Sequence, residues 1–551
     1  MVEARNQREQ PPVNEKILKV EAVKRVELIT AILLSAVVLF ILIARATHAG
    51  GLWRDESDSV QLARMTTWGD MLEHLQFTSF PVLFPAVIRV YATLFGTSDI
   101  SLRCFGLMVG VAFVCIAWWH SRTLFNEAPL LSLALIGLNT TFLTVGTWIR
   151  GYGLGSVLMV LAFTLTAKLL LQPTARWFAA VLLAYLASMQ CLFFDGVLAP
   201  AMALAVATVW VFRGRLKPAL TLTGVVAVCI ITYIPYIKTV SRAKEWGDVQ
   251  KYPTSFEMLW NNLNAACGAP PWIMPLLWHI IFLALVIGAV WRLKVIWRHQ
   301  PGVESSLLLF GLLTSLISIA GYYAFLHWLH TLPWPRYFLA LICLVAVSVD
   351  LIIATLSRFH WVRIARVSLV IALLILLPWA AWPQIILRET NIDLVAEMID
   401  RQASPNDLVV VNPWYLGVSF NRYYHGHTRW ITSPELTEHR IHRYDLLKAK
   451  MLESDPLSDT KSAIRQTLES GNRVWIVGGA PPPVNDLPLW LHPAPDPIYG
   501  WDVVSYTNVW CMQLGALLRT HVVKGDVVLG RATGINANEN VPLLVADGWR
   551  D

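Results

Sequence analysis

The sequence predicts a polytopic α-helical membrane protein with about eleven transmembrane helices, helices lying along the outer face, and a small soluble α/β domain at the C-terminal end. The first reason is composition: of the 551 residues, 56% are hydrophobic and 15% charged, and the mean hydropathy is +0.52. Soluble domains carry more charge than this. The second reason is a series of apolar windows of about twenty residues, the length that crosses a bilayer. The third is an abrupt change of composition beyond residue 383.

The chain begins with a polar and basic segment, residues 1–27, and no small-residue cleavage site follows the first apolar span. This pattern is typical of a cytoplasmic tail followed by an uncleaved signal anchor. From there to residue 383 the apolar windows define a transmembrane domain. Its predicted spans are 28–46, 102–121, 129–148, 153–171, 177–194, 196–212, 218–237, 272–291, 305–326, 337–356 and 367–383.

Basic residues lie in short clusters between these spans, such as Arg213 to Lys217 and Arg358 to Arg366, and the clusters all fall on the side of the N-terminus. Because cytoplasmic loops are enriched in lysine and arginine, this side is predicted to face the cytoplasm beneath a cell (inner or plasma) membrane. An odd number of crossings then puts the C-terminus outside. The formal net charge of +7 could suggest nucleic acid. Basic clusters between apolar spans are instead what membrane topology requires. The expected partner is therefore the lipid bilayer, and no nucleic acid is expected.

The first outer loop, residues 47–101, is predicted to hold helices that lie along the membrane surface. Apolar residues recur there at helical spacing, namely Val60, Ala63, Trp68, Met71, Leu72 and Leu75. Phe80 to Phe95 is also apolar, but it is short and contains Pro81, Pro85 and Arg89. Counting it as a crossing would invert the charge bias of every later loop. It is therefore predicted to be an interfacial helix.

Residues 384–551 are predicted to form an extracytoplasmic α/β domain. Two short apolar runs bounded by turn residues, 407–412 and 473–478, have the pattern of buried strands. Helices are predicted over 391–402, 459–470 and 501–521. Gly478 to Pro483 is rich in glycine and proline but lacks the lysine or spaced glycines of a phosphate loop, so a turn is predicted there.

The strongest candidate for a chemical site is the stretch Gly51 to Asp58, which follows the first span and contains Arg54 and the carboxylates Asp55, Glu56 and Asp58. Charges this close to a membrane are costly and need a reason. A solvated loop leaving the membrane would also account for them. The inner loops are short and merely basic, so a concave site has enough chain to form only on the outer face.

Several short motifs follow one another along the chain: Arg54-Asp55-Glu56 at the start of the long outer loop, Phe80-Pro81 and Phe84-Pro85 in a helix that ends at Leu94-Phe95-Gly96, Arg103 leading the next span, Arg150-Gly151-Tyr152, and Pro335-Arg336-Tyr337. In order and topology they resemble the polytopic GT-C glycosyltransferases, specifically the group of aminoarabinose transferases, protein mannosyltransferases and rhizobial-type lipopolysaccharide glycosyltransferases. The resemblance covers roughly residues 28 to 380 and implies a GT-C-like transmembrane domain.

The resemblance implies an enzyme that moves a sugar, with inversion at the anomeric carbon, from a polyprenyl-phosphate donor to a glycan, lipid or protein acceptor of the cell envelope at the outer face of the membrane. Such a transfer needs a carboxylate that makes the acceptor nucleophilic and cations that hold the departing phosphate. Asp55 matches the family's acidic residue of the first loop and is the implied base. Glu56 would tune the pKa of Asp55, which is expected to be raised, or take part in a metal site. Asp58 is expected to be solvated.

Arg150 and Arg336 are the residues expected to bind the donor phosphate, since a guanidinium matches phosphate bidentately. Snorkelling to lipid headgroups is the alternative for both. Tyr152 and Tyr337 are expected to position the sugar, although they would also suit an aromatic belt. Asp195, at the outer end of a span, is a further candidate, with a solvated helix cap as its alternative.

Two departures from the family pattern affect these roles. The turn Arg150 to Gly153 lacks the carboxylate of relatives with paired acidic loops. A divalent metal would therefore miss half of its site, and no obligatory metal or other cofactor is expected. The Phe-Pro helix opens with Ser79 where the family has a basic or polar residue and two prolines, which removes one phosphate contact. Asp195 could compensate for that loss.

Two other classes of function stay open at this point. A lipid or solute transporter or flippase would also need many spans. The chain, however, shows no internal repeat and almost no intramembrane carboxylate apart from Asp350. A non-catalytic envelope scaffold would tolerate changes at Asp55.

Overall fold

The computed structural model describes residues 13–78, 80–297, 302–357, 359–483 and 488–551, so the first part of the predicted cytoplasmic tail, Ser79 and Arg358 lie outside the described residues. A helical bundle comes first and a mixed sheet with its own helices follows. The helices of the bundle are, in chain order, α1 (Val13–His48), α2 (Arg54–Ala63), α3 (Trp68–His74), α4 (Leu83–Phe95), α5 (Asp99–Phe125), α6 (Leu131–Gly137), α7 (Thr140–Val145), α8 (Gly151–Leu171), α9 (Ala175–Met189), α10 (Asp195–Phe212), α11 (Leu216–Ile231), α12 (Tyr236–Trp246), α13 (Phe256–Ala266), α14 (Met274–Trp297), α15 (Val303–Leu329), α16 (Leu339–Leu356) and α17 (His360–Ile385).

Eight helices in the described part of the chain are long and apolar enough to cross a membrane: α1, α5, α8, α10, α14, α15, α16 (counted with the short turn before it) and α17. They match eight of the eleven predicted spans. The other three windows form shorter or bent helices. Window 129–148 is divided between α6 and α7, 177–194 becomes the 15-residue α9, and 218–237 is covered by α11 and α12, which bend by 51° at their junction.

Local chemistry accounts for two of these breaks. The Asn139 side chain accepts hydrogen bonds from the backbone N–H groups of Thr141 and Phe142 at 2.7 and 3.2 Å, so it caps a new helix in the middle of the apolar run. Pro235 precedes α12 and cannot donate a hydrogen bond back into α11. Both are polar or backbone effects that a window average of hydropathy does not register.

The shorter segments still connect the two ends of the bundle, called here the α2 end and the far end. At the far end, the start of α6 donates backbone N–H groups to Asp350 of α16. At the α2 end, the backbone N–H of Ile149, just beyond α7, donates to Glu56 of α2 at 2.9 Å. Thr232, after α11, meets Gln190 after α9. These contacts place the shorter segments between the two ends, while eight helices of the described chain, or nine with the bent pair, are long and apolar enough to cross a membrane, against the eleven crossings predicted.

A closed ion-pair network joins three segments at the far end. Arg363 pairs with Glu27 at 2.6 Å and with Glu127, and Arg366 pairs with the same glutamates at 2.6 and 3.0 Å. All four side chains are largely buried. Buried charges are tolerated when each finds its partners, and here each carboxylate contacts two guanidinium groups. The network fixes the first half of α1 against the start of α17 and the loop after α5.

The first outer loop forms the short helices α2, α3 and α4 at the α2 end. The helical spacing from Val60 to Leu75 is divided between α2 and α3, because Thr67 and Asp70 form a capping box that starts a new helix. Arg89 of α4 donates to the backbone carbonyls of Ala63 and Met65 at 3.0 and 2.7 Å. α4 has only 13 residues and Arg89 holds it at the α2 end, so it lies at that end of the bundle, in agreement with the prediction.

The C-terminal α/β region, defined here as residues 384–551, contains α18 (Ile392–Gln402), β1 (Leu408–Val411), α19 (Gly417–Tyr423), β2 (Arg429–Thr432), α20 (Tyr444–Leu452), α21 (Ser458–Glu469), β3 (Val474–Val477), α22 (Val503–His521), β4 (Val522–Leu529) and β5 (Leu543–Trp549). Its strand order is β2-β1-β3-β5-β4. β2, β1 and β3 are parallel, and β5 is antiparallel to both β3 and β4. The predicted strands at β1 and β3 and the predicted helices at α18, α21 and α22 are all present, and β2, β4 and β5 are additional.

The C-terminal α/β region contacts α2 and its flanking residues directly. The Tyr423 hydroxyl accepts a hydrogen bond from the Leu52 N–H at 2.6 Å, and Glu539 accepts one from the Arg54 N–H at 2.9 Å. Gln61 of α2 donates to the Val418 carbonyl at 2.9 Å. α2 is therefore held between the bundle and the C-terminal α/β region, and this position is what forms the candidate site.

Candidate active site

The site is built on the first turn of α2. Asp55 and Asp58 are three residues apart on this helix, so their side chains leave it on the same face, while Glu56 points elsewhere. Acidic side chains suit this position because the helix N-terminus carries partial positive charge. The turn before α8 and the turn before α16 bring Arg150 and Arg336 to the same face of α2.

Glu56 is fully buried and serves as an anchor. Its two oxygens accept hydrogen bonds from the Arg103 guanidinium at 2.7 and 3.0 Å, and one of them also accepts the Ile149 N–H. Arg103 in turn donates to the carbonyls of Gly50 and Gly51. Removing one partner of such a buried pair leaves an uncompensated charge. Glu56 therefore fixes the start of α2 and the turn that carries Arg150, a different arrangement from the predicted role in tuning Asp55 or binding metal.

Asp55 lies among three cationic or potentially cationic side chains. Its Oδ2 is 3.7 Å from a nitrogen of Arg336 and 4.0 Å from a nitrogen of Arg150. Its Oδ1 is 3.6 Å from Nε2 of His442, which comes from the C-terminal α/β region. The predicted pair of phosphate-binding arginines thus meets the predicted base, and both arginines come from different turns of the bundle.

Asp58 is buried, with only 3% of its surface exposed, so the prediction that it is solvated is wrong. Its Oδ2 lies 3.4 Å from Arg150, and its Oδ1 accepts the backbone N–H of His442 at 3.0 Å. The reason is the C-terminal α/β region, which covers this face of α2 and could not be placed from the local sequence. Asp58 holds both Arg150 and the backbone of His442 in position beside Asp55.

The two aspartates of α2 have pKa values shifted in opposite directions. Burial raises the pKa of Asp55, but the Arg150 guanidinium and the His442 ring lower it, and Arg336 and Arg54 add to that effect. The net result is an Asp55 pKa well below the usual carboxyl range, so the expectation of a raised value is wrong. Burial dominates at Asp58 and raises its pKa. The difference follows from the number of cations near each carboxylate.

Arg150 and Arg336 each keep a nitrogen without a protein partner. Arg150 donates to the Asp55 carbonyl at 2.9 Å and to Ser59 at 3.1 Å, and its guanidinium lies 4.7 Å from the Phe80 ring centre. Arg336 lies over the Trp334 ring at 4.9 Å. In both arginines the Nε is buried and has no hydrogen-bond partner among the described residues. Two partly satisfied guanidinium groups therefore lie within 4.0 Å of the same Asp55 oxygen, and guanidinium donors match the geometry of anions such as phosphate.

The two predicted tyrosines pack at this site, whereas the contacts of Asp195 are with α9 and α8. Tyr152 packs against Phe80 at 5.1 Å and against Tyr337 at 6.2 Å. Asp195 is fully buried, accepts a hydrogen bond from Ser188, and lies so near α8 that a Cβ on Gly155 would be 3.4 Å from its Oδ2. The alternative of a solvated cap is therefore wrong for Asp195.

The residues around Asp55 do not fit a divalent cation. Both arginines lie within 4.0 Å of Asp55 and would repel a metal ion. Glu56 is already engaged by Arg103. Within the described ranges, no group of three histidine, cysteine or acidic side chains is arranged to hold a metal.

Sequence reasoning missed His442. It follows β2, in the segment that leaves the carboxyl end of a parallel strand, which is where α/β folds place functional side chains. This signal was hidden because β2 itself was not predicted: Arg429 and Trp430 make its first half partly exposed. His442 is buried against Trp414 and Tyr444, with ring centres 6.0 Å away in each case. Its Nδ1 has no hydrogen-bond partner among the described residues.

An apolar groove begins near this cluster. It has a volume of about 760 Å³ and is lined by α3, α4, α9 and the α11–α12 junction, through residues that include Leu72, Leu75, Val82, Leu186, Pro235 and Tyr236. Val82 stands two positions from Phe80, whose ring contacts the Arg150 guanidinium. One wall of the groove, at Val82, is therefore close along the chain to the ring that contacts Arg150.

Comparisons with sequence families and curated proteins give no relative: no family model matches the chain, and no curated protein matches it. Solved structures do match. ArnT from Cupriavidus metallidurans, bound to undecaprenyl phosphate, is 12% identical with a TM-score of 0.47, and the match covers 81% of this chain and 92% of ArnT. The Archaeoglobus fulgidus oligosaccharyltransferase, tethered to an acceptor peptide, is 10% identical with a TM-score of 0.47, over 82% of this chain and 69% of that one.

The arabinosyltransferase EmbB from Mycobacterium smegmatis is also similar. It is 12% identical with a TM-score of 0.38, and the match covers 64% of this chain and 32% of EmbB.

Proposed function

We propose that this protein is a membrane glycosyltransferase that transfers a sugar, with inversion, from a polyprenyl-phosphate donor to a glycan, lipid or protein acceptor of the cell envelope. The observation that carries the proposal is the position of Asp55, a carboxylate with 13% of its side chain exposed that lies between two arginines from separate turns. The same site offers a base for an acceptor and cations for a phosphate, the two groups that the transfer requires. Three of the motifs that resemble GT-C enzymes meet in this cluster: Arg54-Asp55-Glu56, Arg150-Gly151-Tyr152 and Pro335-Arg336-Tyr337.

The chemistry assigns each group one task. The acceptor oxygen attacks the anomeric carbon and forms the new bond to the sugar. The bond from that carbon to the phosphate oxygen breaks, and its electron pair leaves on the polyprenyl phosphate, which Arg150 and Arg336 hold. The acceptor proton goes to Asp55. Tyr152 and Tyr337 lie beside both arginines and would hold the sugar.

His442 acts in this scheme as a positioning residue. Its Nε2 faces the Asp55 oxygen that does not contact the arginines, at 3.6 Å. One oxygen of the carboxylate is thus oriented by the imidazole and the other by the guanidinium groups. Asp58 holds the His442 backbone at 3.0 Å, so the C-terminal α/β region, as a separate domain over residues 384–551, contributes to the site.

The apolar groove suits the polyprenyl chain of the donor. A lipid tail stays in the bilayer, so its binding surface has to be apolar and open toward the membrane, as the lining by Leu72, Leu186 and Pro235 would be. The charged end of the same molecule would then reach Arg150, whose guanidinium lies on Phe80 beside the groove. This arrangement supports a lipid-linked donor over a water-soluble one.

We propose that the site faces the outside of the cell membrane, with the N-terminus in the cytoplasm, because the basic loops lie at the far end of the bundle. Arg215, between α10 and α11, and Asp459, on α21, are both exposed and lie at opposite ends of the molecule. In intact cells, a membrane-impermeant thiol reagent is expected to label Asp459→Cys and not Arg215→Cys. Labelling of the arginine position alone would reverse the proposed orientation.

Donor recognition is tested with purified protein and two lipids that differ only at the head. Polyprenyl phosphate is expected to bind at least 10-fold more tightly than the matching polyprenol, since one charge-assisted contact is worth about 1.5–3 kcal/mol. Thermal stabilisation at a series of lipid concentrations measures both affinities. Equal affinities would mean that the arginines do not hold a phosphate, and a transporter for neutral lipids would then become the better explanation.

A further inference from the structure

Glu389 lies in the linker between α17 and α18, and nothing in the proposed chemistry uses it. The residue is fully buried. Its Oε1 pairs with Arg45 of α1 and accepts a hydrogen bond from the Trp148 indole at 2.7 Å. Its Oε2 accepts a hydrogen bond from the Asn536 side chain at 3.0 Å. One carboxylate thus joins α1, the turn before α8, and the loop between β4 and β5.

The ion pair with Arg45 explains only part of this arrangement. A buried carboxylate needs a cationic partner, and Arg45 supplies one. The Arg45 guanidinium also donates to the carbonyls of Ile385 and Leu387, so it holds the end of α1 against the linker by several contacts. The hydrogen bonds that Glu389 accepts from the bundle turn and from the C-terminal loop are additional to this anchoring, and they indicate a second role.

The Trp148 indole connects Glu389 to the turn that carries Arg150. The Arg150 N–H donates to the Trp148 carbonyl at 2.7 Å, so the backbone between these two residues forms one tight turn. The N–H of Ile149, between them, is held by Glu56 at 2.9 Å. In so short a turn, the position of the Trp148 ring and the position of the Arg150 side chain depend on each other.

Trp148 also connects this turn to the start of α2. Its ring packs on that of Trp53 at 4.8 Å, and Trp53, the residue before α2, makes no side-chain hydrogen bond that caps the helix. The N–H of Arg54, the first residue of α2, donates instead to Glu539 at 2.9 Å. A helix start needs acceptors for its first N–H groups, and here the acceptor comes from the loop between β4 and β5.

The two glutamates belong to one hydrogen-bonded network. Thr390 donates to Glu539 at 2.9 Å, and Asn536 donates to Glu389 from the same loop. The backbone N–H of Asn536 donates to the Arg388 carbonyl at 2.8 Å. One loop of the C-terminal α/β region therefore holds both the helix that carries the proposed base and, through Glu389, the turn that carries the phosphate-binding arginine.

We propose that Glu389 is a positioning residue of the transferase. Through the Trp148 indole it holds Arg150 in the orientation that binds the donor phosphate, and through Asn536 it makes this orientation depend on the docked C-terminal α/β region. The inference rests on the proposed function, because it assigns Glu389 a part in binding that donor. The phosphate site is then complete only when the loop between β4 and β5 is in place.

The test uses the full-length protein and measures the affinities of polyprenyl phosphate and of the matching polyprenol. Trp148→Phe keeps the ring that packs on Trp53 and removes the N–H. It leaves the pair of Arg45 and Glu389 intact, so the protein should fold. Polyprenyl phosphate is expected to bind about 3- to 10-fold more weakly, the scale of one hydrogen bond, while the polyprenol affinity stays unchanged. Glu389→Gln removes the charge and should also weaken binding of polyprenyl phosphate alone.

The double variant tests whether the hydrogen bond between Trp148 and Glu389 carries the effect. Two residues that act through one contact give a combined loss smaller than the product of the two single losses. Trp148→Phe together with Glu389→Gln should therefore bind polyprenyl phosphate about as weakly as the weaker of the single variants. Losses that multiply in full would mean that the two residues act independently and would overturn the inference.

Two control variants separate positioning from stability. Asp350→Asn alters a buried carboxylate at the far end that accepts two backbone N–H groups of α6 and the residues beside it. It should lower the unfolding temperature and leave the polyprenyl phosphate affinity unchanged. Trp490→Phe, at a half-exposed position, should change neither quantity.

Three results would overturn the inference: wild-type affinity in folded Trp148→Phe protein, a matching loss of polyprenol affinity in that variant, or an equal loss of polyprenyl phosphate affinity in Asp350→Asn. The wild-type protein is measured on the same two lipids. Equal affinity of the wild type for polyprenyl phosphate and polyprenol would contradict the proposed function itself. A wild type that prefers the phosphate, with variants that behave like it, would contradict only the role of Glu389.

Discussion

Asp55→Asn is expected to lower the rate of sugar transfer by roughly 10²-fold or more, the usual scale for loss of a general base. Asparagine keeps the size of the side chain and removes its charge, so the fold should be retained. Donor phosphate should bind equally well or more tightly, because Arg150 and Arg336 would no longer share a carboxylate. Transfer of labelled sugar from polyprenyl phosphate to envelope acceptors measures the rate, and thermal stabilisation by polyprenyl phosphate measures donor affinity.

Three variants define the controls for Asp55. Asp459→Asn, at an exposed position of α21, should leave the rate unchanged. His442→Gln keeps a nitrogen donor near the position of Nε2 and should retain more activity than His442→Phe, which has none. A purely packing role for His442 would give the opposite order, since phenylalanine fills the ring volume better. Near wild-type transfer by folded Asp55→Asn protein would remove the proposed mechanism and favour the scaffold or transporter functions.

The low pKa of Asp55 sets the pH dependence of the free protein. Its folded-state value lies below the unfolded one, so the ionised carboxylate stabilises the fold above the ordinary carboxyl pKa of about 4, and this contribution is lost as pH falls through the folded pKa. The unfolding temperatures of wild type and Asp55→Asn should therefore differ near neutral pH and converge in acid.

A carboxylate with so low a pKa is a weak base as long as the two arginines interact with it alone. In the free protein, the positive charge of Arg150 and Arg336 lowers the Asp55 pKa. A bound donor phosphate would neutralise part of that charge. The effect of burial, which raises the Asp55 pKa, would then dominate, and Asp55 would become a stronger base. In this scheme Asp55 becomes an effective base only when the donor is in place, which limits transfer to the loaded enzyme.

Hydropathy predicted the eight membrane-length helices correctly because the apolar composition of a segment is a local property of the sequence. It did not predict the break at Asn139 or the bend before Tyr236, since these depend on a side-chain cap and on one proline. In the C-terminal α/β region, β1 and β3 are buried along their whole length and were predicted. β4 is largely exposed, so the apolar signal that identifies a strand is absent there.

In the candidate site, too, some residues could be predicted from the sequence and others could not. Asp55, Arg150 and Arg336 could be predicted to meet because each follows a recognisable turn at the same end of the bundle. His442 and the burial of Asp58 depend on contacts between residues 384 positions apart, and only the docking of the C-terminal α/β region creates them. The direction of the Asp55 pKa shift is set first by Arg150 of the bundle, with His442 and Arg336 adding to it, so it could not be derived from the neighbouring Glu56.

Arg336→Gln is expected to weaken polyprenyl phosphate binding by about 1.5–3 kcal/mol, or roughly 10- to 150-fold, the worth of hydrogen bonds to a charged group. Arg336 is the more informative of the two arginines. Arg150 also pairs with Asp58 at 3.4 Å, so removing it would leave a buried carboxylate without its partner and lower stability as well as affinity. Arg336 contacts Asp55 at 3.7 Å, and its Nε lacks a partner among the described residues.

Arg336→Lys separates charge from geometry. Lysine keeps the positive charge but cannot bind phosphate bidentately, so it should recover only part of the lost affinity. Arg401→Gln, at an exposed position of α18, should have no effect. If Arg336 instead only extends to the lipid headgroups, all three variants should bind polyprenyl phosphate with wild-type affinity. If only Arg336→Gln and Arg336→Lys lose affinity for polyprenyl phosphate, and neither loses affinity for polyprenol, the donor phosphate binds at this guanidinium. The neutral polyprenol head has no charge for the guanidinium to hold.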